Sequence, residues 1–363
     1  MKILFVCGTY CPSHGGAEIS IHTLLKFLKK NYNHEIRVIT DLKYTKNKKE
    51  HTYDTIKLLG TKHSSREKKI KTVIKEFKPN VLLTQLMWSN VALEIAKQES
   101  IHSIFRLCKT PINLDLSLSS KYSPSIILSV SNSVKKYVKK KWNRNSIIIK
   151  PPIELNNKIL ISDKKSSKEF ITLFNPLVRK GGLIFKQIAK SFPDKKFAVI
   201  HGWSSLKSSV KNINFSNKLI KRICESQGTV FTGKKPKYVN YDDCPNISIL
   251  SPTNNVWRIY AKTKILLIPS QWEEAFGRVA IEAMANGIPT LGSNVGGLNE
   301  AIGSGGIIIK KFDSPKEWIN IIKKLENKSF YKKTSIKAKD WVKNNYSLKK
   351  IINDFNKILK KIN

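Results

Sequence analysis

Short apolar runs alternate along this 363-residue chain with stretches whose apolar positions recur every three or four residues. That alternation predicts strands followed by helices. In the first half the runs 2–7, 35–40, 81–85, 101–107, 125–130 and 147–149 read as strands. Helices are expected at 17–28, 65–77 and 91–98, and a fourth begins at the capping sequence Ser131-Asn132-Ser133. The Lys-rich stretch 43–71 reads mostly as a loop leading into the helix at 65–77. Pro151-Pro152 and the polar stretch 156–168 break the pattern, which then restarts. Strands are expected at 170–174, 197–200, 230–232, 247–250, 265–268, 288–292 and 306–309, with helices at 184–191, 255–261, 277–287 and 315–325. The last helix carries a stripe of Ile351, Phe355, Ile358, Leu359 and Ile362 that needs a covering surface. Two serial α/β halves without a solenoid-length repeat predict two Rossmann-like domains with parallel sheets. The expected boundaries are 1–152, 153–340 and a terminal helix over 341–363.

The stretch 265–290 organises the second half. An apolar strand there meets a loop opened by Pro269, then a helix from about Gly277 that stops at Gly287 before Pro289. Two carboxylates sit on this unit, Glu274 in the loop and Glu282 inside the helix. Open α/β sheets bind ligands at the carboxyl ends of their strands, so this placement suggests a polar ligand. Carboxylates accept several hydrogen bonds, which suits adjacent sugar hydroxyls. Between them, Phe276-Gly277-Arg278 opens a helix whose first amides can receive a diphosphate. Lys180, after a strand and before Gly181-Gly182, offers a point charge to the same phosphate. Together these parts describe a nucleotide-sugar site. Gly15-Gly16, between the first strand and the first helix, lets backbone approach a ligand closely.

Composition narrows the reading. No apolar run is long enough to predict a spanning helix, and the apolar N-terminal run is too short for a signal peptide. The five cysteines form no C-x-x-C pair, so a reducing cytoplasm is the expected setting. The formal net charge is +40, yet only eight of the 66 basic residues are Arg. Nucleic-acid readers lean on Arg, so no nucleic-acid partner is expected. The excess Lys is either a compositional bias spread over solvated faces or a surface for an anionic partner. The helix with Lys135, Lys136, Lys139, Lys140 and Lys141 beside Tyr137 and Trp142 poses the same choice, a solvated face or peripheral contact with an anionic membrane.

The stretch 270–289 resembles the E-x7-E signature of retaining glycosyltransferases with the GT-B fold, family 4. Gly15-Gly16-Ala17-Glu18 resembles their N-terminal loop, Lys180-Gly181 their donor-phosphate lysine, Pro151-Pro152-Ile153 their interdomain segment and Gly296-Gly297 their later glycine pair. The resemblance implies GT-B architecture, with two Rossmann-like domains facing a central cleft, an acceptor-binding first domain and a donor-binding second one. It implies that Glu274 contacts the transferred sugar, Glu282 the ribose, and Lys180 the departing diphosphate. Gly16 and the amides at Phe276 and Gly277 would approach phosphate or sugar, with Gly15 and Asn175 in the same donor set. The terminal helix would cross back to the first domain.

Two positions depart from the family pattern. Asn175 stands where many members carry Arg, five residues before the Lys, and Arg179 becomes the candidate for the second positive charge. Where many members place a His after the strand at 101–107, this chain has Arg106-Leu107-Cys108, so Arg106 is a candidate on the acceptor side. No Asp-x-Asp occurs, consistent with a site in which Lys and helix amides replace a metal and no cofactor is needed. The expectation is a cytoplasmic enzyme, peripheral on the inner face of the membrane if the basic helix rests there. It would transfer sugar from a nucleoside-diphosphate sugar to a glycan or lipid-linked acceptor in surface polysaccharide or glycolipid assembly. The alternative is a nucleotide-sugar hydrolase or epimerase of the same fold.

Overall fold

A computed structural model describes residues 1–12, 15–108, 123–157, 159–161, 167–201, 239–251, 253 and 255–362. They form two compact units. One runs from Met1 to Ile153 and takes up Leu348–Asn363, and the other comprises described residues between Glu154 and Ser347. The strand expected at 230–232, and Cys224, lie outside the described residues.

In the first unit, β1 (Lys2–Val6), β2 (Glu35–Asp41), β3 (Glu50–Tyr53), β4 (Ile56–Thr61), β5 (Val81–Thr84), β6 (His102–Leu107), β7 (Ile126–Ser129) and β8 (Ile147–Ile148) form one sheet. Its order is β3-β4-β2-β1-β5-β6-β7-β8. Every pair is parallel except β3 with β4. Alternation along β1 serves both faces. Ile3 and Phe5 pack with Ile21, Leu24, Leu25 and Leu28 of the helix Gly16–Tyr32. Leu4 and Val6 pack with the helices Arg66–Phe77 and Ser89–Gln98 on the other face. A central parallel strand must be apolar on both sides, which is why β1 reads as a continuous run. The terminal helix Leu348–Lys360 lays Ile351, Ile352, Phe355, Ile358 and Leu359 into the same core as Ile3 and Phe5. His34 Nε2 and Asn356 Oδ1, 2.8 Å apart, hold it in register with the loop before β2.

The stretch 43–71 is not mostly loop. It contains the antiparallel pair β3–β4, and β4 extends the parallel sheet beside β2. Ile56-Lys57-Leu58-Leu59 supplies the strand, with Leu58 in the core on one face and Leu59 in the core on the other, and the lysines around it in sequence conceal it.

The second unit has β9 (Phe170–Phe174), β10 (Phe197–Ile200), β11 (Ile247–Leu250), β12 (Thr263–Ile268), β13 (Thr290–Ser293) and β14 (Ile307–Ile309). Their order is β11-β10-β9-β12-β13-β14, all parallel. Ile171, Leu173, Phe197, Val199, Leu267 and Leu291 form the core with Phe185 and Ile188 of the helix Gly182–Lys190 and Trp318 of the helix Pro315–Lys324. A further helix, Lys328–Asn345, has no counterpart in the sequence reading. It buries only Thr334, Ala338 and Val342, too narrow a stripe to stand out among so many lysines. Among the described residues no helix is long and apolar enough to cross a membrane.

Candidate functional site

The site grows out of the carboxyl end of β12. Pro269 ends that strand, and the chain loops through Ser270 to Gly277 before the helix Arg278–Ala285. The end of the neighbouring strand, β9, feeds a second loop. Asn175 turns the chain there with φ 59°, a left-handed conformation that Asn tolerates better than most residues. Its amide donates to Ile200 O at 2.7 Å, and its Oδ1 is buried without a partner. A short 3₁₀ turn, Val178–Lys180, follows and ends at Gly181, φ 83°.

The two loops interlock through backbone. Gln271 N donates to Arg179 O at 2.9 Å. A Cβ on Gly181 would stand 1.8 Å from Pro269 O, and one on Gly296 (φ 50°) 2.2 Å from Glu274 O. Only glycine satisfies both the positive φ and the close approach. Gly297 N then donates to Glu274 O at 2.6 Å, fixing the acid's backbone.

Within this frame Lys180 Nζ lies 2.6 Å from Glu274 Oε1. The side chains are 21% and 12% exposed, so the pair is largely shielded yet reachable. Ser270 Oγ donates to the same carboxylate oxygen. Burial pushes the Glu274 carboxyl upward, but the charge of Lys180 and the hydrogen bonds from Lys180 and Ser270 outweigh it and hold the group below its ordinary range. Glu274 is therefore an anion at neutral pH. The Trp272 ring borders the pair, with Arg179 Cζ 4.7 Å and Lys180 Nζ 5.1 Å from its centroid.

Glu282 lies on the inner side of its helix, 7% exposed. It accepts from Arg278 Nε at 2.7 Å, one helical turn back, and from Tyr260 Oη at 2.9 Å. Burial, and then the charge of Glu282, raise the Tyr260 phenol well above its ordinary pKa, so it stays a donor. One carboxylate oxygen faces each donor, and lone pairs remain for a ligand. Gly277 (φ 124°) caps the helix without a side chain over its first amides. Phe276 is buried, its ring edge-on to Tyr346 with centroids 5.9 Å apart.

Seven of the expected site residues thus belong to the second unit: Asn175, Arg179, Lys180, Glu274, Phe276, Gly277 and Glu282. Lys180 and Glu274 touch directly, whereas Glu282 has its own partners. Gly15, Gly16 and Arg106 belong to the first unit. Gly15 precedes the helix Gly16–Tyr32 with φ −71°, and a Cβ there would meet the Glu18 carboxylate. Arg106, 1% exposed, donates to Gln85 Oε1 at 2.6 Å and Ser20 Oγ at 2.8 Å. Gln85 Nε2 in turn reaches Ala17 O at 3.3 Å, tying Arg106 to the glycine loop.

Ser270, Tyr260 and Arg278 add side-chain contacts beyond those expected from the sequence. The i, i+4 spacing of Arg278 and Glu282 was a visible signal. Tyr260 and Ser270 had none, because their contacts depend on how the chain folds back. Among the described residues no cluster of three or more His, Cys, Asp or Glu is arranged to hold a metal ion.

Residues 245–348, which contain both acids, match the family model Glycosyl transferases group 1. The second unit carries a glycosyltransferase domain. The chain is 24% identical over 351 residues to an uncharacterized glycosyltransferase of Methanocaldococcus jannaschii, covering 92% of this chain and 91% of that one. It is 40% identical over 74 residues to spore coat protein SA of Bacillus subtilis, a match that spans only 20% of either chain. Among solved structures it resembles Anabaena HepE in complex with UDP and glucose, with TM-score 0.75 at 15% identity, and 99% of each chain is covered. The fold is GT-B, two α/β units each built on a parallel sheet.

Proposed function

We propose that this glycosyltransferase moves a sugar from a nucleoside-diphosphate sugar to a glycan or lipid-linked acceptor, with retention of configuration. The observation that carries the reading is the shielded Lys180–Glu274 pair, set between a glycine-clamped loop and an uncapped helix start. Lys180 and the first amides of the helix Arg278–Ala285 receive the diphosphate, so its charge is met without a metal. Glu274 accepts from hydroxyls of the transferred sugar, and Glu282 from the ribose diol. Arg179 supplies the second positive charge that Asn175 cannot. Gly15 and Gly16 offer close-approaching backbone on the first unit, and Arg106 braces that loop through Gln85.

In the chemical step the acceptor hydroxyl oxygen bonds to the anomeric carbon as the bond from that carbon to the diphosphate oxygen breaks. The hydroxyl proton passes to the leaving phosphate oxygen on the same face. Lys180 stabilises the charge that develops on the leaving group, the kind of effect that is strongest in a water-poor site. Binding of UDP in the structurally similar HepE makes a uridine nucleotide the first donor to try. The Lys-rich helix Asn132–Trp142 buries only Val134 and Val138 and would let the enzyme rest on anionic lipid near a lipid-linked acceptor.

The test is a transfer assay on wild type and Glu274→Ala with UDP-, GDP- and ADP-sugars, with and without acceptor. Loss of transfer with retained fold supports the reading. Full activity in Glu274→Ala, or donor consumption indifferent to any acceptor, overturns it, the latter in favour of a hydrolase or epimerase.

A further inference from the structure

The carboxylate of Glu282 is held at both oxygens, and the two donors come from different parts of the chain. Arg278 Nε reaches Oε1 at 2.7 Å from one turn back on the same helix. Tyr260 Oη reaches Oε2 at 2.9 Å from the short helix Trp257–Tyr260 that precedes β12. The terminal torsion of a glutamate is broad, so a single contact fixes a position and leaves the carboxylate plane loose. Two donors, one per oxygen, fix the plane as well. Arg278 moves with the helix that carries Glu282, so Tyr260 is the donor of the pair that ties the carboxylate to the sheet. Its own place is firmly set. The ring is fully buried and lies against Phe174 at the end of β9, with centroids 5.6 Å apart. Thr263 Oγ1, at the start of β12, donates to Ile259 O at 2.8 Å and pins the turn that carries the ring. A carboxylate has about four lone-pair sites, so two donors leave one site on each oxygen, side by side. That is the pattern a vicinal diol needs, two adjacent hydroxyls donating to two adjacent oxygens.

We propose that Tyr260 is a positioning residue for ribose selectivity: with Arg278 it locks the plane of the Glu282 carboxylate, which then offers one lone pair per oxygen to the two hydroxyls of the nucleotide ribose and demands the intact diol. The inference rests on the nucleotide-sugar reading above. Tyr260 does not touch the donor. It acts through Glu282 on the nucleotide end, so its effect falls on affinity rather than on turnover.

Tyr260→Phe keeps the ring against Phe174 and removes the hydroxyl. Calorimetry with UDP, GDP and ADP first finds the diphosphate that wild type binds, and the 2′-deoxy and 3′-deoxy forms of that nucleotide are then compared with it. Wild type is expected to bind each deoxy form at least about tenfold more weakly, the loss of one hydrogen bond to a charged group. In Tyr260→Phe the ribonucleotide is expected to weaken by roughly fivefold while the deoxy forms change by less than about twofold, so the preference for ribose shrinks. A phenol needed only for packing would weaken all three nucleotides alike and leave the preference intact, and that result overturns the proposal. With the matching nucleotide-sugar the loss should appear in KM, with kcat within about threefold of wild type, whereas a fall in kcat at unchanged KM overturns it. Should Tyr260→Phe fail to fold, wild type decides: both deoxy forms must weaken, and indifference to the loss of either hydroxyl overturns the proposal. A wild type that binds none of the three diphosphates defeats the nucleotide-sugar reading itself, a result distinct from binding one of them without regard to its ribose.

Discussion

Each unit of this molecule places a basic side chain near the carboxyl end of a parallel sheet, and the two are treated in opposite ways. In the first unit Arg106 is 1% exposed and hydrogen-bonded to Gln85, just past the end of the adjacent strand β5, and to Ser20 of the first helix. In the second, Lys180 keeps 21% of its side chain exposed and meets a carboxylate that is itself reachable. A guanidinium with several fixed donors suits a brace among neutral groups, whereas a flexible ammonium can leave one anion for another. The glycines follow the same division. Gly15 has an ordinary φ and crowds only the end of the Glu18 side chain, while Gly181 and Gly296 have positive φ and crowd backbone. The two sheet ends thus differ in how far their charge can be reached and exchanged.

That contrast can be broken at several points. The largest expected effect is on turnover: Lys180→Met should lower kcat/KM by about 10²–10³, roughly 3–4 kcal/mol of transition-state stabilisation, in steady-state assays with the donor that binds. Gly181→Ala should cost more than about 2 kcal/mol in urea denaturation, since strain at positive φ adds to the collision with Pro269. Gly15→Ala in the same measurement should cost under about 1 kcal/mol, because only a side-chain end must move. Arg106→Met should destabilise by about 1–3 kcal/mol through the lost charge-assisted bonds and the polar groups left behind.

The smallest effect sharpens the comparison through pH. In wild type Glu274 lies below the ordinary carboxylate range, so the stability it contributes is present above that range and is lost as pH falls through its lowered pKa. Removing Lys180 leaves burial as the main influence, which turns the shift upward. The stability gap between wild type and Lys180→Met should therefore be widest at neutral pH and narrow toward acid. Denaturation at a series of pH values reads this directly, and a gap that widens toward acid would contradict the pairing.

Much of the fold was legible because central parallel strands are apolar on both faces and stand out even in a Lys-rich chain. β1, β9 and β12 are examples. The pair β3–β4 and the helix Lys328–Asn345 were not: β3 has no fully buried residue, β4 is a short apolar run set among lysines, and the helix buries one narrow face. The candidate site was legible where residue type and spacing carry it, as with Glu274, Glu282 and the glycines near them. Ser270 and Tyr260 were silent because their meaning lies in direction: which way a hydroxyl or a phenol points is settled only after the chain folds back. Arg106 stood out by type, while its burial and its bonds to Gln85 and Ser20 are visible only in the fold.

The central claim is that Lys180 and Glu282 hold a nucleotide-sugar donor on the second unit. Isothermal titration of UDP-, GDP- and ADP-sugars into wild type, Lys180→Ala and Glu282→Ala tests it most directly. One donor series should bind wild type, and each substitution should weaken that binding by at least about tenfold, the loss of a charge-assisted contact worth about 1.5–3 kcal/mol. Binding that is unchanged in both variants would contradict the account.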